Sequence, residues 1–407
     1  MYGVSAVGSD VAPASTGHRH GRRLYRTDRY CEAIVLDRCG RIEDIPTGSQ
    51  LLCRCFGLSV AMQATKITAH GGTDGIEYGE YPDPEVGRND VLVDVKAGAL
   101  NHLDVWVRRG LPTLDLDLPH VPGSDAAGVV EVVGEDVTRF EPGDRVAVTA
   151  GVNCGHCEFC RSGDPTLCVN FHLLGEHVTG VHSEYAAVPE DNLIPVPEHV
   201  DWITAGASSL VFQTAWRMLI DRADIEAGEK VLVLGASGGV GHAALQIADY
   251  AGAEVYATGS TEDKLQYARE HGADHVVNYE EQNFAEWVRS ETGNRGVDVV
   301  VDYIGAGTWR DSIKSLAKNG RLVTCGGTAG GNPETDIPRI FWNQLQIIGS
   351  TMGSPGQVDD VMELVWDGTF TPAIREVLPM SETARAHEII EGREGFGKVV
   401  VRPDSEL

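Results

Sequence analysis

The stretch Lys230-Val231-Leu232-Val233-Leu234-Gly235-Ala236-Ser237-Gly238-Gly239-Val240-Gly241 decides the fold. Its opening run is continuously apolar, as expected of a strand covered on both faces. Glycines then form a tight turn, and Val240, Ala244, Ile247 and Ala251 share one stripe of the helix that follows. Such a turn lets the backbone approach a pyrophosphate closely, while the helix N-terminus offers aligned N–H donors. A glycine run alone is a weak signal, because glycine turns also serve packing. At the first strand-to-helix junction of a repeating series it reads as a dinucleotide-binding turn.

Further strands are predicted at 254–258, 275–279, 297–304, 321–325 and 346–349. Helices lie between them, one capped by Thr261 and stopped by Gly272, others around 283–292 and 308–319. Alternation of this kind implies right-handed crossovers and a parallel, doubly wound α/β domain over 204–353. Upstream, 62–203 reads as short strands with Gly/Pro punctuation (90–95, 128–133, 145–149), a β-rich domain. The tail, 354–407, is helix-rich and ends in a strand at 397–401 that is expected to return to the first domain.

Residues 1–61 differ from the rest. They carry eight Arg, no Lys and six acids, with Cys31, Cys39, Cys53 and Cys55 and no sustained period. Strand-like alternation starts at Met62, so this leading part reads as a disordered extension or a misassigned start. The C-x-C pair of Cys53 and Cys55 is a weak signal for metal or redox chemistry.

The second parallel strand bears on the choice of dinucleotide. An NAD-selective site places Asp or Glu at its end for the ribose hydroxyls. Here Thr258-Gly259-Ser260-Thr261 stands there, with no acid before Glu262. Ser260 can donate to a 2′-phosphate and Lys264 follows one helical turn later, so NADPH is expected; the bland alternative is helix capping beside a solvated lysine. Elsewhere, Cys154-x2-Cys157-x2-Cys160-x7-Cys168 has the spacing of four thiolates closing tetrahedrally on one Zn²⁺, with no position open for chemistry. Cys325, standing alone, reads as a buried small hydrophobe.

Composition narrows the partners. Among 407 residues the net charge is −27, and with residues 1–61 at +2 the remainder carries −29. So negative a field disfavours nucleic acid and anionic lipid. No membrane span or secretory signal is read, so the chain is expected in the cytoplasm. Adaptation to molar salt would explain the charge and predicts unfolding on dilution of salt.

The four-cysteine lobe at 151–170, the Gly238-Gly239-Val240-Gly241 turn and the returning tail together resemble the medium-chain dehydrogenase/reductase superfamily, over about 340 residues from Met62 to Pro403. Its members pair a GroES-like catalytic domain with a Rossmann domain. The blocks 97–104 (Ala-Gly-Ala-Leu-Asn-His-Leu-Asp) and 123–128 (Gly-Ser-Asp-Ala-Ala-Gly) look most like quinone oxidoreductases, usually NADPH-dependent reductases of quinones or activated alkenes. The zinc alcohol dehydrogenases of the superfamily hold a catalytic metal where this chain has Asn101, Ser124-Asp125 and Leu210, a poor ligand set. His102 and Asp104 lie nearby but make an unconvincing metal site.

The resemblance implies that Asn101 and Asp104 line the cleft near the nicotinamide. It carries over Thr214, Ser237, Gly238, Gly239, Val240, Ser260, Lys264, Tyr279 and Lys398 as NADPH contacts. It also implies a homodimer or homotetramer, with the strand near 346–350 pairing across the two-fold, and substrate loops at 106–120 and 328–343. The leading expectation is an NADPH-dependent quinone or enone reductase with one structural zinc. The alternatives are an alcohol dehydrogenase with unusual catalytic ligands and a nucleotide-binding sensor or scaffold without turnover.

Overall fold

The computed structural model describes residues 61–111, 114–393 and 395–407. Expectations for residues 1–60, including the four leading cysteines, lie outside them. Residues 61–407 form one compact unit. Among the described residues, no helix is long and apolar enough to cross a membrane.

The quoted stretch forms the strand Lys230–Val233 and the helix Gly239–Tyr250. The strand is central in a six-stranded sheet ordered His275–Asn278, Glu254–Gly259, Lys230–Val233, Val297–Val301, Leu316–Thr324, Gln346–Gly349. Every pairing in it is parallel. The order reverses direction at Lys230–Val233, and ligands of open α/β sheets bind in the crevice at such a point. The helix expected over 308–319 is shorter, Trp309–Ser315. Leu316 instead pairs with Val297, and Asn319 takes a left-handed φ of 63° that an α-helix cannot continue through.

The second sheet runs Ile374–Pro379, Lys398–Arg402, Asp90–Ala99, Asp125–Val133, Arg145–Val148, Leu193–Pro195, and Tyr185–Pro189 also pairs with Asp90–Ala99. The tail therefore returns as expected, but it brings a further strand, Ile374–Pro379, that pairs parallel to Lys398–Arg402. The boundary read after residue 203 falls inside the helix Trp202–Trp216. That helix packs on strands of the second sheet and on the helix Gly239–Tyr250, so it joins both halves. It is buried along most of its length, with Phe212 stacked on Phe370 at 5.8 Å.

Register places the cleft residues. Ala99 pairs with Asp125 on one side and with Val400 on the other. Continuing that antiparallel register by two residues brings Lys398 opposite Asn101. Residues from three distant segments thus meet at one end of the sheet.

Candidate active site and metal centre

Asn101 precedes the helix His102–Arg109, and its backbone N–H donates to Asp104 Oδ2 at 2.7 Å. The Asn101 side chain is left for other partners. Its amide NH2 donates to Asp125 Oδ2 at 2.9 Å, while its carbonyl oxygen accepts from Lys398 Nζ. Lys398 also donates to Asp125 Oδ2 at 3.0 Å. The other Asp125 oxygen accepts from Ser209 Oγ at 2.8 Å and the Leu210 N–H at 2.9 Å. Asp125 is fully buried, whereas Lys398 and Asn101 keep 5% and 8% exposure. A buried carboxylate costs several kcal/mol unless paired, and this one has four donors.

Asp104, expected to line the cleft, is sealed at 0% exposure. Its two oxygens accept the backbone N–H groups of Asn101 and Gly123, the latter at 3.0 Å. Burial pushes its carboxyl upward. It fixes the loop and helix that frame the cleft and offers nothing to a substrate. Ser124 is likewise buried, its hydroxyl donating to Leu174 O at 2.7 Å. A catalytic metal does not fit this donor set: the Asn101 oxygen is taken, Ser124 is spent, and Leu210 is apolar.

The dinucleotide turn is built as its glycines require. Gly235 has φ +60°, and its carbonyl accepts from the Tyr303 hydroxyl at 2.7 Å. A Cβ on Gly241 would lie 2.4 Å from Gly235 O, so only glycine fits there. Gly238 caps the helix and Gly239 opens it, with Val240 half-buried in its first turn. Gly397 N donates to Ser237 O at 3.1 Å, tying the returning strand to the turn. The Lys398 stem crosses there, since a Cβ on Gly239 would approach its Cδ to 3.1 Å. Thr214 is buried on the joining helix, donating to Leu210 O at 2.6 Å.

At the end of the second strand, Lys264 Nζ donates to Ser260 Oγ at 3.1 Å and to Arg393 O at 2.8 Å. Burial, and then the charge of Arg375, hold its ammonium below the ordinary lysine range. Arg375 packs beside Gly395 and was missed in the sequence, because it arrives on the unpredicted strand. Glu262 is paired with Arg269 at 2.8 Å. Tyr279 is exposed, its N–H donating to Gly259 O at 3.1 Å. Ser260, Lys264 and Arg375 form a cationic patch suited to a phosphate.

A cavity of about 600 Å³ opens where Val297–Val301 and Leu316–Thr324 end, lined by Gly305, Trp309, Thr324, Gly326, Gly327 and Asn332 among others. Trp106, on the helix His102–Arg109, packs near one lining glycine, its Cη2 lying 3.6 Å from where a Gly326 Cβ would be. Of the two segments expected to shape a substrate pocket, 328–343 contributes to this lining through Gly330, Gly331, Asn332 and Thr335.

The four lobe cysteines cluster with their sulfurs all within 4.8 Å of one another. Cys157 and Cys160 sulfurs are 3.5 Å apart, and Cys154 and Cys160 4.0 Å. Tetrahedral Zn²⁺ at about 2.3 Å from each sulfur needs edges of about 3.8 Å, so one ion fits. Backbone N–H groups, above all that of Cys160, pull the Cys157 thiol down to about 6, toward the thiolate a metal requires. Among the described residues this is the one cluster of three or more such side chains.

Known proteins share this plan. Residues 87–198 match the alcohol dehydrogenase GroES-like domain, and residues 239–367 the zinc-binding dehydrogenase family. A zinc-type alcohol dehydrogenase-like protein of Schizosaccharomyces pombe is 33% identical over 341 residues, 82% of this chain and 96% of its own. A quinone oxidoreductase of Pseudomonas aeruginosa is 31% identical over 349 residues, 83% and 98% of the two chains. The solved structure of an NAD-dependent alcohol dehydrogenase aligns with a TM-score of 0.80 at 42% identity, over 84% of this chain and 99% of that one. With both domains matched and relatives aligned along nearly their whole length, the chain belongs to the medium-chain dehydrogenase/reductase superfamily of oxidoreductases.

Proposed function

We propose that the chain is an NADPH-dependent reductase of quinones or activated alkenes, with one structural zinc ion in the cysteine lobe. The observation that carries this reading is the cleft's donor set. Where metal ligands would have to converge, a buried lysine is paired with Asp125 and Asn101. Oxidation of an alcohol needs its oxygen activated, which a bound metal can supply. A quinone or enone is already electrophilic, so the protein has chiefly to align it and meet the charge on its oxygen. A bound nicotinamide supplies the hydride. The glycine turn would hold its pyrophosphate, and Ser260, Lys264 and Arg375 would hold the 2′-phosphate.

Steady-state NADPH oxidation over a panel of quinones and enones tests the reading. Turnover with these acceptors, and none with NAD⁺ and simple alcohols, is expected. The reverse pattern would favour an alcohol dehydrogenase, which the 42%-identical NAD-dependent alcohol dehydrogenase structure favours. Tight NADPH binding with no acceptor consumed would favour a sensor or scaffold.

The reading extends to assembly and surroundings. We propose that two copies pair through the edge strand Gln346–Gly349. It is largely exposed and lies beside exposed Ile337, Phe341 and Trp342. The acidic surface supports a cytoplasm of high salt as the working medium.

A further inference from the structure

The reductase reading leaves open what meets the negative charge that gathers on the acceptor's oxygen. We propose that Lys398 does: its ammonium is the oxyanion-stabilising cation of the cleft, standing in the place a catalytic metal would take. This inference rests on the reductase reading and gives Lys398 a catalytic role in place of the NADPH contact that the family resemblance implies.

Three observations support it. The first is convergence. Lys398, Asn101 and Asp125 come from three segments and are joined by the sheet register, so the cation's place is set by the fold. The second is the count of hydrogen bonds. An ammonium has three N–H groups, and Lys398 gives one to Asn101 Oδ1 and one to Asp125 Oδ2. The third N–H has no partner among the hydrogen bonds of the described residues. The third observation is graded burial. Asp125, which carries the countercharge, is sealed at 0% exposure, whereas Lys398 and Asn101 keep a small opening. The countercharge is thus sealed while its cationic partner is the less completely buried of the two, and in so dry a site a cation interacts far more strongly than in water. Asp125, Ser209 and the Leu210 N–H act through Lys398 and are positioning groups.

With an enone as acceptor, one hydride and one proton are added across its carbon–carbon double bond. A hydride with its electron pair leaves the reduced nicotinamide and forms a C–H bond at the β-carbon. The alkene pair shifts to join the α- and carbonyl carbons, and the carbonyl π pair moves to oxygen. There the free N–H and charge of Lys398 meet it. The α-carbon then takes a proton from water as the carbonyl re-forms, leaving oxidised nicotinamide, saturated ketone and hydroxide.

The test uses the zinc-loaded full chain with NADPH and two probes, cyclohex-2-en-1-one and 1,4-benzoquinone. Lys398→Met keeps the stem and removes the charge. Its kcat with the enone should fall about 100- to 1,000-fold, the loss typical of one oxyanion donor. The NADPH dissociation constant, read by fluorescence titration, should change less than threefold. Lys398→Arg, which keeps a cation, should retain more activity than the Met variant. Because Lys398→Met strands the Asp125 charge, the double variant Lys398→Met/Asp125→Asn provides a folded control, checked by its thermal melt, and should be equally slow. Full kcat in a folded Met variant would overturn the proposal. So would a tenfold loss of NADPH affinity with kcat at saturation intact, which marks a cofactor anchor. If the unaltered chain turns over neither probe, the reductase reading itself fails, a result distinct from either.

Discussion

Asp104 and Asp125 are both carboxylates at 0% exposure, and the sequence offers no way to rank them. Their partners separate them. Asp104 serves two backbone amides and holds a loop, whereas Asp125 balances a lysine at the cleft. A motif match supplies a position along the chain but not the direction of a side chain, which is why Asp104 was expected in the cleft. The role of Asp125 is not legible from its motif, because its partner Lys398 lies 273 residues further along the chain. The pairing of Ser260 with Lys264 is more legible, because the two lie just past a strand end and in the following helix turn. Lys264→Glu should weaken NADPH by about 10- to 100-fold, the value of one or two charge-assisted hydrogen bonds, and leave NADH within a few fold. The ratio of kcat/KM for the two cofactors measures this.

Among the elements, the parallel strands were the easiest to read, since strands covered on both faces are simple apolar runs. The strand Ile374–Pro379 was not, because its residues alternate weakly and it forms only by pairing with a strand some twenty residues later. The joining helix Trp202–Trp216 runs on into a π-helical segment, Arg217–Arg222. There Arg217, its side chain 4% exposed, grips Asp164 of the cysteine lobe with contacts at 3.0 and 2.9 Å. Asp164→Asn removes its nearer countercharge and leaves the buried guanidinium with only Asp221 at 3.6 Å, a loss of about 1–3 kcal/mol. Urea unfolding should show it, and a chelator should strip zinc from the variant faster than from the parent. On the helix Ile337–Asn343, which precedes the edge strand Gln346–Gly349, Trp342 is 76% exposed. Trp342→Asp should convert a dimer to monomer in light scattering, and an unchanged mass would exclude this face as the interface.

For the whole molecule, the two-domain plan could be read from the alternation of elements, and the register that closes the cleft could not, because it depends on pairings across some three hundred residues. The surface charge is a property of the whole chain. With −27 overall, the folded state repels itself in dilute buffer, and molar salt shortens the screening length to about 3 Å. The melting temperature should therefore rise steadily from 0.1 to 3 M sodium chloride, whereas a flat profile would remove the case for high-salt adaptation. In the cleft, the Lys398 ammonium is bonded to Asn101 and Asp125, two of the positions that would have to bind a catalytic metal. Anomalous scattering at the zinc edge from crystals grown with zinc and NADPH locates every bound metal. One peak is predicted, within the cluster of Cys154, Cys157, Cys160 and Cys168; a second peak beside Asn101 and Asp125, with Lys398 displaced, would contradict the account.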